Sequence, residues 1–245
     1  MYNGCKVIAL VPAAGMGQRM GIGQKKQYLL LKDKEILNWT LIHLLREPII
    51  DEAIVIVPRD DVLEVEEKMT SWLSREQIST KISVIEGGAT RQESVRKGLI
   101  KIEGDGFQTS FVVIHDGVRP FFPKNMLIRF LEALDHRSDI EGAIAGAEVT
   151  DTLKTINPEK VIIGTVDRSV VWSVQTPQVF RFDTLMKAHR YANDHAFEVT
   201  DDAAIIEAIG KKTVIIPCSS ENIKITKPVD LIVAEVLLET YKVDL

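Results

Sequence analysis

Glycines and other small residues follow the first predicted strand and are suited to binding phosphate groups. Residues 11–21 read Val-Pro-Ala-Ala-Gly-Met-Gly-Gln-Arg-Met-Gly, and backbone N–H groups beside such small residues can cradle phosphate oxygens. Arg19, Lys25 and Lys26 add positive charge. Met20 breaks the dinucleotide fingerprint, and no Gly-Lys-Ser/Thr follows to make a P-loop. The sequence therefore predicts a polyphosphate-binding loop, and the alternative is a flexible surface loop with solvated lysines.

Two more groups of polar or small residues follow predicted strands, where open parallel sheets bind their ligands. Gly87-Gly88-Ala89 comes after the third strand and precedes a helix that carries Ser94. This turn either presents its backbone to the edge of a base or simply joins strand to helix. Asp116 ends the fourth strand and is the best single candidate for holding Mg²⁺, with Asp230 a weaker one. The alternative for Asp116 is structural pairing with Arg119.

Short apolar runs alternate with helical patterns along the chain. The predicted strands are Lys6–Val11, Ala53–Val57, Ile82–Ile85, Phe111–His115, Gly142–Ala147 and Thr213–Ile216. Helical spacing relates the apolar residues within the segments 37–45, 95–102, 127–134 and 229–237. Continuously apolar strands separated by helices indicate parallel pairing with both sheet faces covered. We predict an α/β fold, a Rossmann-like three-layer sandwich around a mostly parallel twisted sheet, formed by residues 1–245 as a single domain.

The segment 148–174 interrupts this alternation. It shows no helical period and contains only short β-like pieces at Val161–Ile163 and Val170–Val174, around Asn157-Pro158. Long irregular segments within a compact domain are uncommon and usually functional. We interpret the segment as a protruding β-arm, with a folded-back surface hairpin as the alternative.

Composition excludes several classes of protein. Of 245 residues, 45% are hydrophobic and 27% are charged, with 30 Lys and Arg against 35 Asp and Glu. This acidic balance disfavours a partner that is nucleic acid or membrane, because both attract broad positive charge. Cys5 and Cys218 are too few for a disulfide framework or a structural zinc site. With no signal-peptide or transit-peptide pattern, we expect a cytoplasmic protein.

Several short motifs follow one another along nearly the whole chain. They are Pro12-Ala13-Ala14-Gly15-x-Gly17-x-Arg19-x-Gly21, Lys26-Gln27-Tyr28-Leu29, Gly87-Gly88-Ala89-Thr90-Arg91-Gln92-Glu93-Ser94-Val95, His115-Asp116-Gly117-Val118-Arg119-Pro120, Asp151-Thr152-Leu153-Lys154, Arg168-x-x-x-Trp172, Gln175-Thr176-Pro177-Gln178-x-Phe180, Thr200-Asp201-Asp202-Ala203 and Asn222-Ile223-Lys224-Ile225-Thr226. In this order the motifs resemble those of the 2-C-methyl-D-erythritol 4-phosphate cytidylyltransferases.

The resemblance implies a reaction of CTP with a polyol phosphate that forms a CDP-alcohol and pyrophosphate, with Mg²⁺ as the cofactor. The acceptor phosphate would attack the α-phosphorus. Its second pKa near 6 leaves it largely ionised at neutral pH, so no general base is required. The five histidines accordingly show no triad-like or metal-like spacing. Catalysis would then consist of positioning and of stabilising negative charge.

The resemblance also implies roles for individual residues. The catalytic cations would be Arg19, Lys26 and Lys224. Nucleotide binding would fall to Pro12, Ala13, Ala14, Gly15, Gly17, Gly87, Gly88, Ala89 and Ser94. The acceptor would be bound by Asp116, Arg119, Thr152, Arg168, Thr176 and Thr200, with Thr152 and Arg168 supplied by the arm of a neighbouring subunit in a homodimer. Thr200 also suits an N-cap of the helix that begins near Asp201.

Two positions depart from the usual family pattern. Lys25 stands where the family usually has Pro, and Gly117 stands where it has Ala. The ribitol-5-phosphate cytidylyltransferases are the nearest alternative family, but they usually open with Ala-Gly-Gly and tend to lack a residue like Trp172. A catalytically silent nucleotide-binding regulator is a remote third reading, because such a protein would be expected to lose Arg19, Lys26 or Asp116.

Overall fold

A central β-sheet organises the protein. The structure is a computed structural model that describes residues 1–15, 25–106 and 109–241. Its strands are β1 (Lys6–Pro12), β2 (Leu30–Leu31), β3 (Lys34–Glu35), β4 (Glu52–Val57), β5 (Lys81–Glu86), β6 (Thr109–Ile114), β7 (Ile140–Glu148), β8 (Lys154–Ile156), β9 (Ile162–Thr165), β10 (Trp172–Arg181) and β11 (Lys212–Pro217). Its α-helices are α1 (Ile36–Leu45), α2 (Val62–Arg75), α3 (Arg91–Gly104), α4 (Met126–His136), α5 (Phe182–Asp194), α6 (Asp202–Ala208) and α7 (Pro228–Tyr241).

Seven of the strands within these described ranges form one sheet in the order β11-β7-β10-β6-β1-β4-β5. Every strand runs in the same direction except β10, which lies antiparallel between β6 and β7. The carboxyl ends of six strands therefore meet at one edge of the sheet. The antiparallel strand β10 begins at that same edge, directly after the segment that leaves β7.

Alternate residues of β1 supply the cores on the two faces of the sheet. Val7, Ala9 and Val11 pack in the cluster that contains α1 and α4, whereas Ile8 and Leu10 pack with α3 and α5. All five side chains are 0% exposed. Because successive side chains of a strand point to opposite faces, a strand covered by helices on both sides has to be apolar throughout.

The predicted α/β three-layer fold is confirmed. Each of the six predicted strands lies within or overlaps a strand of the main sheet, and the four helical patterns correspond to α1, α3, α4 and α7. Sequence reasoning missed α2 and α5, and it anticipated α6 only as a helix that begins near Asp201. It also assigned only the short piece Val170–Val174 to the region of β10, because Gln175, Thr176 and Gln178 interrupt the apolar pattern of this central strand.

The segment 148–174 contains a hairpin outside the main sheet. Strands β8 and β9 pair with each other antiparallel. Three of the hairpin's isoleucines are more than half exposed, namely Ile156 (54%), Ile162 (61%) and Ile163 (67%).

None of the helices in the described residues is sufficiently long and apolar to cross a membrane.

Gly142 tests the packing at the centre of the sheet. A Cβ atom added there would lie 2.4 Å from Cδ1 of Phe180 and 2.9 Å from Cγ2 of Thr213. We expect Gly142→Ala to lower the free energy of unfolding by roughly 1–3 kcal/mol, because a buried aromatic ring has to move. Gly104→Ala is the matched control, since its Cβ would meet nothing within 4 Å. Urea unfolding measures both, and equal stabilities would contradict this packing.

Candidate functional site

A cleft of about 700 Å³ lies at the carboxyl edge of the sheet. Residues after β1, β4, β5 and β6 line it, together with the 3₁₀ turn Lys26–Tyr28 and the loops before α6 and α7. The predicted site residues that line it are Pro12, Ala13, Ala14, Gly15, Lys26, Gly87, Gly88, Ala89, Ser94, Asp116, Thr200 and Lys224. The topology thus gathers residues that are more than two hundred positions apart in the chain.

A smaller cavity of about 340 Å³ adjoins this cleft. The two share the side chains of Arg91, Asp116, Thr200 and Lys224. The predicted residues Arg119 and Thr176 line the smaller cavity, whereas Thr152 and Arg168 line neither and lie exposed on the segment 148–174. Gly17 and Arg19 lie outside the described residues.

The turn at Gly87 packs directly against the loop after β1. A Cβ at Gly87 would lie 2.5 Å from Cβ of Ala14 and 2.9 Å from Oγ of Ser94, so only glycine fits there. Ser94 is 2% exposed and accepts a hydrogen bond from the N–H of Gly88 at 3.0 Å. The Ser94 hydroxyl therefore holds the Gly87-Gly88-Ala89 turn in its shape, in addition to the base contact that sequence reasoning expects of it.

The first turn of α3 also holds this loop. Thr90 caps the helix by accepting a hydrogen bond from the N–H of Glu93. The Glu93 carboxylate in turn accepts one from the N–H of Ala89 at 2.8 Å. Such reciprocal capping fixes the entry of the chain into a helix, so the backbone of the Gly87-Gly88-Ala89 turn is rigidly placed at the rim of the cleft.

Asp116 lies at the centre of a cluster of positive charges. Its carboxylate is 2.7 Å from Nζ of Lys224, 3.1 Å from Nε of Arg91 and 3.6 Å from Nε of Arg119. Burial favours the neutral acid, but the three cations outweigh it and hold the pKa of Asp116 well below its usual range. Asp116 is therefore ionised, and its charge places Lys224 and Arg91 at the junction of the two cavities.

Arg91 connects Asp116 to a second buried carboxylate. Its Nη1 lies 2.6 Å from Oδ2 of Asp202, which is 0% exposed. Nε2 of the buried His189 lies 3.2 Å from the other oxygen of Asp202. Burial raises the pKa of Asp202, but the interactions with Arg91 and His189 lower it by more. The pKa of Asp202 therefore lies below its usual value. Sequence reasoning missed Arg91 and Asp202 as site residues, although both lie within the quoted motifs.

The base of the site is a buried polar network with a neutral histidine. Oγ1 of Thr176 lies 3.2 Å from Nδ1 of His115, and the backbone N–H of Asp116 donates to Thr176 at 3.0 Å. Nε2 of His115 pairs with the carbonyl of Arg119 at 2.9 Å. Burial lowers the pKa of His115 to about 4. This imidazole is uncharged at neutral pH and acts as packing, as the sequence indicated.

Arg119 holds the loop that carries Lys224. Its Nη1 donates to the carbonyl of Asn222 at 2.7 Å, and the N–H of Ile225 donates to the carbonyl of Val118 at 3.0 Å. The Asn222 side chain donates to the carbonyl of Thr176 at 2.8 Å. Arg119 is only 9% exposed, and its Nε lies 3.6 Å from the carboxylate of Asp116 without a hydrogen bond, so its charge is held inside the protein beside Asp116.

The helix cap expected at Thr200 is shifted by one residue. Helix α6 begins at Asp202, and the side chain of Asp201 accepts the capping hydrogen bond from the N–H of Ala204 at 3.2 Å. The carboxylate of Asp201 thus serves as the cap in place of the Thr200 hydroxyl. Thr200 is left to line both cavities with an exposed side chain.

The described residues do not fit a magnesium ion held by the protein. Among them no three His, Cys, Asp or Glu side chains come together as ligands. A cation at Asp116 would have to approach three cationic side chains that already occupy the carboxylate. Asp230 is also unsuited, because it accepts hydrogen bonds from the N–H groups of Thr226 and Lys227 at 2.7 and 2.8 Å. The cluster at Asp116 instead suits an anionic ligand.

Comparison with known proteins identifies the family. The model of the family described as "IspD: 2-C-methyl-D-erythritol 4-phosphate cytidylyltransferase" matches residues 7–240. The chain belongs to this family. As a 2-C-methyl-D-erythritol 4-phosphate cytidylyltransferase family member, it is a nucleotidyltransferase, and the resemblance noted in its motifs is confirmed.

Relatives with this name match over nearly their whole length. The cytidylyltransferase of Syntrophus aciditrophicus is 40% identical, over 96% of this chain and 96% of that protein. That of Geobacter metallireducens is 38% identical, over 95% and 97%. The crystal structure of 4-diphosphocytidyl-2C-methyl-D-erythritol synthase from Anaerococcus prevotii has a TM-score of 0.82 at 28% identity, covering 97% of both chains.

Asp202 tests the buried charge network of this cytidylyltransferase. We expect Asp202→Asn to lower the free energy of unfolding at pH 7 by roughly 1–3 kcal/mol, because Arg91 loses one of its two carboxylate partners and keeps only Asp116. The folded-state pKa of Asp202 is depressed, so its contribution is complete above about pH 5 and declines as the pH falls further. The difference between wild type and variant should therefore shrink in acid.

Urea unfolding over a pH series measures this effect. Asp194→Asn is the matched control, because Asp194 lies exposed at the end of α5, and we expect a change within about 0.5 kcal/mol. A loss of stability at Asp202 that is the same at every pH would contradict the charge network.

Proposed function

We propose that this chain transfers a cytidylyl group from CTP to 2-C-methyl-D-erythritol 4-phosphate and releases pyrophosphate. The observation that carries the proposal is the cluster of Lys224, Arg91 and Arg119 around Asp116, at the end of a cleft that Pro12, Ala13, Ala14 and Gly15 line. Such a cluster presents fixed positive charge to anionic substrates without any metal ligand or nucleophile from the protein.

The chemical step is a displacement at the α-phosphorus of CTP. An oxygen of the acceptor phosphate forms a bond to this phosphorus, the bond from phosphorus to the bridging oxygen of the β-phosphate breaks, and pyrophosphate leaves with that electron pair. The acceptor phosphate has a second pKa near 6, so it attacks in its ionised form. His115 is buried and uncharged, which agrees with a mechanism that needs no protein base.

Lys26, Lys224 and Arg19 stabilise the negative charge of this step in our proposal. Lys26 lines the cleft from the 3₁₀ turn, and Lys224 lines it from the opposite loop with 34% of its side chain exposed. The carboxylate of Asp116 fixes the Lys224 ammonium so that it needs no reorganisation during reaction. Asp116 is then a residue that positions a catalytic cation.

The two cavities suit the two substrates. We assign the nucleotide to the larger cleft, where Pro12, Ala13, Ala14 and Gly15 expose backbone to the phosphates and the Gly87-Gly88-Ala89 turn faces the base. We assign the acceptor to the smaller cavity beside Thr176, Thr200 and Arg119. Arg91 and Lys224 line both cavities, where the attacking phosphate and the α-phosphate would meet.

Magnesium is the cofactor that we propose for this reaction. Because the residues at Asp116 do not fit the ion, we place no magnesium on the protein side chains. Mg²⁺ commonly binds through substrate phosphates and waters, and it would supply charge neutralisation there. The cytoplasmic location predicted from the sequence stays a prediction.

The segment 148–174 supports a proposed homodimer. Thr152 and Arg168 lie on this segment and line neither cavity of their own chain. The apolar side chains of Ile156, Ile162 and Ile163 are largely exposed. Exposed apolar surface commonly marks an interaction site. We therefore assign Thr152 and Arg168 to the acceptor site of a partner subunit.

Substrate preference tests the proposed reaction. We expect pyrophosphate release from CTP with 2-C-methyl-D-erythritol 4-phosphate to exceed that with ribitol 5-phosphate, and that from UTP, ATP or GTP, by at least about tenfold in kcat/KM. Excess EDTA should abolish it. The two relatives and the one solved structure described above all carry the methylerythritol name, which does not favour the ribitol alternative. Preference for ribitol 5-phosphate, or equal use of a purine nucleotide, would overturn the assignment.

Mixed dimers test the role of Arg168. Lys26→Ala and Arg168→Ala should each lower kcat/KM by roughly 10²-fold as homodimers, because each removes a charge stabiliser. In an equal mixture, one site of each heterodimer carries neither lesion if the arm serves its partner. About a quarter of wild-type activity should then return after subunit exchange.

Lys187→Ala is the control variant for Lys26→Ala. It also removes one positive charge, but from an exposed position on α5. Verified heterodimers that show no recovery would mean that each chain uses its own arm.

A further inference from the structure

One peptide plane at the rim of the larger cleft lies between two glycines. It joins Gly87 to Gly88, and both residues line the cleft. Because glycine has no Cβ atom, it populates a wider range of φ and ψ than any other residue. Rotation of this plane by half a turn would exchange the places of its carbonyl oxygen and its N–H group. What the turn presents to a ligand therefore depends on the groups that hold the plane.

Two side chains of α3 hold the two ends of this plane. The N–H of Gly88 donates to Oγ of Ser94 at 3.0 Å, and Nζ of Lys97 donates to the carbonyl of Gly87 at 2.8 Å. Ser94 and Lys97 are three residues apart in the helix, so they lie on the same side of it. Rotation of the plane would break both hydrogen bonds. The bond from Lys97 is the stronger of the two, because its donor is charged.

The Lys97 ammonium is itself held in place. Its Nζ also lies 2.8 Å from Oε1 of Glu86, and the other oxygen of that carboxylate lies 3.6 Å from Nε of Arg59. Among the described residues that line the two cavities of the candidate active site, Lys97 does not occur. Any direct effect of Lys97 on a ligand in the cleft therefore passes through the backbone of Gly87.

The three N–H groups of the turn donate to acceptors within the protein. That of Gly87 bonds to the carbonyl of Val57 and that of Ala89 to the Glu93 carboxylate, each at 2.8 Å, besides the bond from Gly88 described above. A base that meets this backbone would find carbonyl acceptors and not N–H donors. Acceptors attract the amino group of cytosine and repel the carbonyl oxygen that uracil has in its place. A plane that could rotate would relieve this repulsion, so discrimination against uracil requires a rigid turn.

We propose that Lys97 is a positioning residue for the nucleobase, which keeps the peptide between Gly87 and Gly88 in the orientation that favours cytosine over uracil. The contact of this turn with the base rests on the proposed function, whereas the hold of Lys97 on the turn does not. Lys97 is remote from the reacting phosphates in this assignment. It should therefore affect the choice of nucleotide and leave the rate of the chemical step unchanged.

Steady-state kinetics with CTP and UTP test the effect of Lys97 on specificity. Lys97→Met keeps the aliphatic chain but removes the ammonium. We expect it to lower the ratio of kcat/KM for CTP to that for UTP about 3- to 10-fold, the contribution of one hydrogen bond. The KM for CTP should account for the loss, whereas kcat with CTP and the KM for the acceptor should stay within about twofold of wild type.

Two further variants separate position from charge. Lys97→Arg keeps donors for both Gly87 and Glu86, and it should restore most of the preference for CTP. Lys101→Met is the matched control, because the Lys101 ammonium pairs with Asp105 one helical turn further along α3. It removes the same charge from the same helix and should leave the ratio unchanged. Equal losses with CTP and UTP in Lys97→Met would show a general effect of charge and would overturn the proposal, as would an unaltered ratio.

Amide hydrogen exchange followed by NMR tests the hold on the turn without relying on activity. The amide of Gly88 should exchange about 3- to 10-fold faster in Lys97→Met than in wild type, because rotation of the plane exposes it. The amide of Leu99, within α3, should keep its rate. An unchanged rate at Gly88, or equal acceleration at Gly88 and Leu99, would overturn the proposal. If wild type fails to use CTP, the proposed function fails, and the exchange rates still decide whether Lys97 holds the turn.

Discussion

The carboxylate of Asp116 is the charge around which the candidate active site is assembled. Alone, a buried carboxylate would be costly to ionise. With Lys224, Arg91 and Arg119 within 2.7 to 3.6 Å it is ionised, and it allows three cations to lie close together despite their mutual repulsion. The cluster keeps excess positive charge where an anionic substrate would bind, in a protein whose formal net charge is −5. Asp202 extends the same balance by neutralising the far side of Arg91.

The antiparallel strand β10 determines how this cluster is supported. Because β10 enters the sheet at the edge where β6 ends, Thr176 lies directly beneath the backbone of Asp116. The same reversal makes the segment between β7 and β10 leave and return at the active-site edge. The exposed hairpin therefore starts next to the site and not at the far end of the molecule. A start next to the site suits a segment that completes the site of a neighbouring subunit.

Sequence reasoning recovered the features that arise from local pattern. The uninterrupted apolar run of β1 signals a strand buried on both faces, and the small residues that directly follow it, Ala13, Ala14 and Gly15, line the cleft. The same reasoning recovered only the start of β10, because Gln175 and Gln178 interrupt the apolar pattern of this strand. Their hydrogen-bond partners, Asn222 and Asp201, are distant in sequence, and no local pattern reveals such partners. Arg91 was overlooked for a similar reason. From the sequence, an arginine in the first turn of a helix is expected to be exposed to solvent, and only the fold shows that Asp202 lies opposite to it.

Lys25 shows how a departure from a family pattern can preserve geometry while changing the forces that hold it. Its φ is −70°, which is the value that the usual proline would impose through its ring. The backbone before Lys26 is therefore compatible with either residue. Proline would restrict this backbone covalently, whereas Lys25 anchors it by an ion pair to Asp61 at the start of α2. An ion pair responds to its surroundings in a way that a ring cannot, because nearby charges and bound molecules alter its strength. This chain thus holds the backbone before Lys26 by an electrostatic contact, where the usual family residue would hold it by a covalent ring.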